Sequence, residues 1–337
     1  MATTADTGKP PVAQRASRPP DITSVPVRHY GQWVFTVIII YIGAAILFSL
    51  AKNANVQWDV VWAYLFKPLT LRGVVVTIEL TVIAMIMGGI GGVVLAVMRL
   101  SSNPVLGAVA GFYIWFFRGT PVLVQILVWG YLGALYPTIF LGLPFMGVVF
   151  GSWETSAVIG AFAAACLGLG LNEAAYDAEL VRAGIMSVSP GQAEAALSLG
   201  MPWGMSMYRV VLPQAMRIII PPFGNNTISM LKTTSLVSVI GGNELLTRLE
   251  TVWGQTFEII PLLVVACIWY LALTTVFSIG QYYLEKYFGK GHSRKGEAAD
   301  KQKKNKPQPA GLVGTTDALE TKLMNEATAP PEEHPHD

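Results

Sequence analysis

Six stretches of this chain are long and apolar enough to cross a lipid bilayer, and no other feature restricts its fold as strongly. Hydrocarbon supplies no water to exposed backbone groups, so a spanning segment must be a helix of roughly 20 residues or a strand of a closed barrel. The stretches cover residues 33–51, 73–98, 120–136, 155–171, 215–240 and 257–283, lengths that fit helices. The expected fold class is therefore an all-α membrane protein, a polytopic helical bundle of about six transmembrane helices. With 53% hydrophobic and 13% charged residues in 337, and a mean hydropathy of +0.49, a soluble domain is excluded. The first stretch follows some thirty polar residues and lacks a small-x-small cleavage site, so it reads as a signal anchor.

Basic residues orient the bundle. They collect in the N-terminal segment (Lys9, Arg15, Arg18, Arg28), after the second stretch (Arg99, Arg118) and between the fourth and fifth (Arg182, Arg209, Arg217). The C-terminal tail adds a run from Lys286 to Lys306, whereas no Lys or Arg occurs between Gly119 and Val181. By the positive-inside rule both termini and the loop at about 173–214 face the cytoplasm. Residues 1–32 and 288–337 are too polar to offset their chain entropy and are expected to be disordered cytoplasmic segments. The lysines at 301–306 either touch anionic lipid or serve as a solvated anchor. Cys166 and Cys267 lie inside spans as small apolar residues, and the four histidines lie outside them, which leaves no disulfide framework, metal centre or histidine proton relay.

The cytoplasmic loop carries a helix of its own, from Ser189 to Gly200. Ser189 suits the N-cap, Pro190 the first helical position, and Gln192 the reciprocal position of a capping box. Ala193, Ala196 and Gly200 share a face of small residues beside one holding Glu194, Ser198 and Met201. Such a face admits close approach of another backbone, either a partner's or the bundle's own.

Recognisable catalytic chemistry is missing. The sequence has no phosphate-binding loop, no H-E-x-x-H, no G-x-S-x-G and no C-x-x-C. Uphill transport would need an ion gradient or an external motor. Ionisable groups within the spans are Glu79 and Lys232, which line a solute path, pair with one another, or sit at interfaces; Glu154, Glu173 and Glu258 fall at span ends. Around Lys232, the segment from Ile218 to Leu236 holds Pro221, Pro222, Gly224, Asn225, Asn226, Thr234 and Ser235. This is the composition of a broken span lining a cavity. Gly88 and Gly92 are in register for close helix packing.

Several strings then resemble a known family. Glu194-Ala195-Ala196, Gly200, Val210 and Leu212-Pro213 resemble the EAA loop of permease subunits of bacterial ABC importers. Phe117-Arg-Gly-Thr-Pro-Val-Leu-Val-Gln125, Ala175-Tyr-Asp-Ala-Glu179-Leu-Val-Arg182, Gly191-Gln192, Leu212-Pro-Gln-Ala215 and Leu231-Lys-Thr-Thr-Ser-Leu236 are similar to its polar amino acid branch, the histidine/glutamine permease type. The resemblance implies a five-helix permease domain over 70–287, with 33–51 as an extra N-terminal transmembrane helix, in the bacterial inner membrane. It implies a non-enzymatic transport subunit without a cofactor of its own, ATP being bound by cytosolic ATP-binding subunits. The other implied partners are a solute-binding protein, a second permease subunit (identical or paralogous), an amino acid substrate and membrane lipid; nucleic acid is not among them. Glu194, Ala195, Ala196, Gly200, Leu212 and Pro213 would couple to the ATPase, and Glu79, Asn225, Asn226, Lys232, Thr234 and Ser235 would line the pathway. Ala183 and Thr233 depart from the family's usual Gly and Asp or Asn. A stand-alone secondary transporter or channel using Glu79 and Lys232 is the alternative; it would have no need of a docking helix.

Overall fold

The computed structural model describes residues 30–143 and 148–288, so the segments expected to be disordered lie outside it, except that helix already runs from Tyr30 and reaches Phe288. The chain divides into two units, 1–56 and 57–337. In the first, α1 (Tyr30–Lys52) is apolar on every side and exposed along its length. A helix hydrophobic all round belongs in lipid.

The second unit opens with α2 (Trp58–Leu65) and the long α3 (Pro68–Leu100). Then follow α4 (Pro104–Gly119), α5 (Val122–Gly130) and the single turn α6 (Leu132–Leu135). A hairpin of β1 (Thr138–Leu143) and β2 (Val148–Glu154), with the turn α7 (Thr155–Val158), leads to α8 (Ala161–Met186). The loop helix α9 (Pro190–Ser198), the short α10 (Trp203–Ser206) and a π-helical stretch at Met207–Val211 precede α11 (Leu212–Thr233). A 3-10 stretch (Thr234–Ile240), α12 (Leu245–Thr256) and α13 (Ile259–Phe288) complete the unit.

Length and hydropathy qualify α1, α3 and α13 as spans, and α4 and α5, bent by 98°, qualify together as a broken span or a re-entrant loop. At 26 and 22 residues, α8 and α11 are also long enough, about 39 and 33 Å. Both are less apolar than the other spans, α8 through buried Asn172, Glu173 and Asp177 and α11 through Gln214, Arg217, Asn225 and Asn226, none of which is fully buried. The core is built where α3 meets α5, α8 and α11, around Leu80, Ala84, Ile126, Ala165, Leu169 and Met230. Gly88 and Gly92 let α3 and α8 touch, as their register predicts: a Cβ on Gly92 would lie 2.6 Å from Asp177 Cβ, and one on Gly88 2.7 Å from Glu173 Cγ.

Several expectations change. The third stretch, 120–136, is not one continuous helix: α5 has 9 residues and pairs with α4 across the 98° bend, which puts Arg118 at the end of α4 beside the break and not in a loop. The apolar run preceding Arg118 is short, and the arginine made it look like loop. The fourth span begins at Ala161 and continues past Leu171 to Met186, which carries Glu173 into the bundle, away from a watery end. The prolines of α11 do not break it; the helix changes character only at Thr234, and Gln281 Nε2 on α13 donates to Pro221 O at 3.3 Å. Cys166 is buried, but Cys267 is exposed on α13. The β-hairpin has no counterpart in the helical reading of the sequence.

Candidate functional site

A polar cavity of about 510 Å³ opens between the α4–α5 break, α8 and α11. The break contributes Arg118 to Val122, α8 contributes Asn172, Glu173 and Tyr176, and α11 contributes Asn226, Ser229, Met230 and Thr233. Ending α4 at Gly119 leaves carbonyls without helical partners. Gln125 Nε2 donates to Phe117 O at 2.9 Å, Thr120 O at 3.1 Å and Thr120 Oγ1 at 2.8 Å, and Asn172 Nδ2 reaches Phe117 O at 2.9 Å. The carbonyls of the kink between Phe117 and Gln125 are thus met by Gln125 and Asn172, although Gln125 Oε1 itself stays buried without a partner, and the kink holds Arg118 at the cavity. Its guanidinium lies 5.1 Å from the centroid of the Tyr176 ring, a cation–π contact.

Glu173 and Asp177, one turn apart on α8, are buried at 8% and 1% exposure. Asn226 Nδ2 approaches Asp177 Oδ1 at 3.4 Å, yet Glu173 Oε1 and Asp177 Oδ2 have no hydrogen-bond partner. The single ion pair among the described residues is Arg182–Glu179, at 2.6 Å, so neither acid is paired with a cation. A third buried carboxylate behaves differently. Glu244 accepts from Leu246 N and Thr247 N at 2.7 Å, Thr247 Oγ1 at 2.9 Å and Tyr270 Oη at 3.0 Å, capping α12. Asn226 and the contact between the two carboxyls compensate the burial of Glu173 and Asp177 only in part, and an ionisable group so buried inside a membrane bundle marks a solute or ion path.

Of the pathway residues expected from sequence, only Asn226 lines this cavity. Asn225 and Lys232 are exposed, Glu79 is exposed on α3, and Glu79 and Lys232 form no ion pair. Thr234 is fully buried with its hydroxyl on Leu231 O, and Ser235 donates to Lys232 O; both hydroxyls serve the backbone of the α11 exit. Arg118, Asn172, Glu173, Tyr176 and Asp177 were missed as a group. The signal was present: no proline occurs between Leu171 and Ser187, so the small-residue face of α8 continues through Ala174 and Ala178, with both acids beside it.

At the other end of α8, α9 starts at Pro190 as expected, but the capping box does not form. Ser189 makes no side-chain cap, and Gln192 Oε1 instead faces Gln214 Nε2 at 3.4 Å. Ala196, 4% exposed, packs inward toward the Met207–Val211 stretch, so the alanine face serves the chain's own fold. Glu194, Ala195, Leu197 and Leu199 face outward, Leu199 at 84% exposure. Gly200 ends the helix at φ +80° with its N–H on Leu197 O at 2.9 Å, while Met201 N–H reaches Ala196 O at 3.1 Å, the paired bonds of a Schellman cap. Leu212 and Pro213 form the first turn of α11. No group of three or more metal-ligating side chains occurs among the described residues.

The family described as the binding-protein-dependent transport system inner membrane component matches residues 88–290, which contain the cavity and the α9 loop together. The chain belongs to that family. This inner membrane component is 48% identical over 279 residues to the arginine transport system permease protein ArgU of Corynebacterium glutamicum, covering 82% of the chain and 86% of that protein. It is 32% identical to the probable amino-acid ABC transporter permease protein YckA of Bacillus subtilis, over 67% and 96% of the two chains. A crystal structure of an amino acid ABC transporter with histidines matches at 37% identity and a TM-score of 0.53, covering 66% of this chain and 95% of that one. The resemblance to ABC importer permeases drawn from the loop strings therefore holds for this inner membrane component.

Proposed function

We propose that the chain is the membrane-spanning permease subunit of an ATP-driven importer, and that the cavity between the α4–α5 break, α8 and α11 receives an amino acid with a cationic side chain. The observation that carries this reading is Glu173, which lines the cavity with a buried, unpartnered Oε1; Asp177, one turn on and with Oδ2 likewise unpartnered, stands behind it outside the cavity lining. A guanidinium or ammonium group supplies the donors those oxygens lack, and Arg118 supplies a cation for the substrate carboxylate. The relative named as an arginine permease is consistent with this chemistry.

ATP is bound by a partner ATPase, and α9 is the element that meets it, through Glu194, Ala195 and the exposed leucines, with Gly200 and Leu212-Pro213 fixing its exit. A solute-binding protein delivers the substrate and a second permease, identical or paralogous, completes the pathway. The basic residues of these segments support a cytoplasmic position for α9 and both termini. No observation favours the stand-alone carrier, whose two ionisable residues lie apart from the cavity.

Reconstitution with the ATPase and binding protein, followed by uptake of a labelled amino acid panel, tests the proposal. Arginine or lysine should be carried, and Glu173→Gln should lower that uptake about tenfold or more, as expected when a charged hydrogen bond to substrate is lost. Equal uptake of neutral amino acids by both forms, or unchanged arginine uptake in the variant, would overturn it.

A further inference from the structure

The hairpin of β1 and β2 is unlike the rest of the molecule. It pairs Ile139 with Trp153 and Leu141 with Gly151 on one face, and Phe140 with Ser152 and Gly142 with Val149 on the other. The register slips between Leu141 and Gly142, which leaves Phe150 as an unpaired bulge residue. Both faces are apolar and open: Leu141 is 64% exposed, Phe140 54% and Phe150 69%. Trp153 lies across Gly151, where a Cβ would come within 2.7 Å of the indole. Thr155 N–H, bonded to Pro137 O at 2.9 Å, closes the base. Among the described strand residues, Glu154 at the end of β2 is the one charged side chain.

An isolated two-stranded sheet with such surfaces is at best marginally stable in water. A docked protein would cover one face of the hairpin, whereas both faces and the bulge need covering. A lipid surface does that without a matching shape. The patch also continues, through exposed Tyr131, Leu135 and Tyr136, into the bent pair α4–α5 from which the hairpin emerges. The unpaired outer edges of the two strands bar it from the hydrocarbon core, where open edges cannot be satisfied, but not from the headgroup boundary. Tryptophan and tyrosine are enriched at that depth. The hairpin precedes α8 and α9 follows it, so the two lie at opposite ends of a helix about 39 Å long.

We infer that the β1–β2 hairpin is an interfacial anchor that lies in the lipid headgroup region of the leaflet opposite the α9 loop. It holds the α4–α5 bend and the start of α8 at fixed depth. The inference depends on the chain crossing a membrane and not on which solute it carries.

The test is nitroxide labelling of single-cysteine variants Phe140→Cys and Phe150→Cys, in the assembled transporter and in a background lacking Cys166 and Cys267. The protein is placed in nanodiscs of phosphatidylethanolamine and phosphatidylglycerol, and Val276→Cys on α13 gives the lipid reference. Both hairpin labels should collide with oxygen several-fold more than with a water-soluble nickel chelate, at a shallower depth than Val276. Preference for the nickel chelate at both sites would mean a hairpin standing in water and would overturn the inference. So would shielding from both reagents at either site, or shielding that arises only when the solute-binding protein is added, since each would identify a protein cover.

Discussion

Two places in the bundle bury carboxylates, and they do so on opposite terms. Glu244, fully buried where the 3-10 stretch turns into α12, meets four donors from its own helix and from Tyr270. Glu173 and Asp177 are nearly as buried, but each keeps an unpartnered oxygen. A buried charge costs stability unless hydrogen bonds or an opposite charge compensate it. The first site is therefore part of what holds the fold together. The second is a cost to the fold, and it points at a ligand that supplies the missing donors.

The comparison breaks if the two sites respond alike to mutation. Glu244→Ala should have the largest effect, about 3 kcal/mol or more of stability, because buried donors lose a charged acceptor. Thermal unfolding in detergent would show a clear drop and lower yield. Gly92→Leu comes next, at about 1–3 kcal/mol, since it forces α3 away from the backbone at Asp177. It would be read as lost thermostability together with lost uptake. Asp177→Asn should leave stability unchanged or raised while uptake of a cationic amino acid falls about tenfold. A stability loss matching that of the Glu244 variant would show that Asp177 is structural.

The α9 loop sharpens the same contrast at smaller magnitudes. Gly92 is required because there is no room for a Cβ, whereas Gly200 has nothing within 4 Å and is required by its φ of +80°. Gly200→Ala should cost about 1–2 kcal/mol locally and reduce transport-coupled ATP hydrolysis, while Gly200→Asn, which tolerates the left-handed region, should retain more of it. Ser189→Ala should change stability by less than about 0.5 kcal/mol, because its side chain makes no cap. A loss near the 1 kcal/mol typical of N-caps would show that the capping box forms in solution.

Much of this is legible in the sequence. The apolar runs at α1, α3 and α13, the close packing register of Gly88 and Gly92 and the start of α9 at Pro190 follow from local spacing, and the family follows from resemblance. Local spacing failed where polarity and burial part company. Hydropathy falls along α8 after Leu171 as it would in a loop, although the helix continues and its acids turn inward against two glycines of α3. Arg118 looked like a loop residue for the same reason, since only Gln125 and Asn172, folded back on the bend, make a kink affordable at that point. Sequence by itself determined that this chain crosses a membrane, which of its ends and loops are basic, and that a short helix starting at Pro190 stands between two spans. The tertiary structure decided which polar groups face one another, because the cost of burying a charge depends on partners that lie far away along the chain.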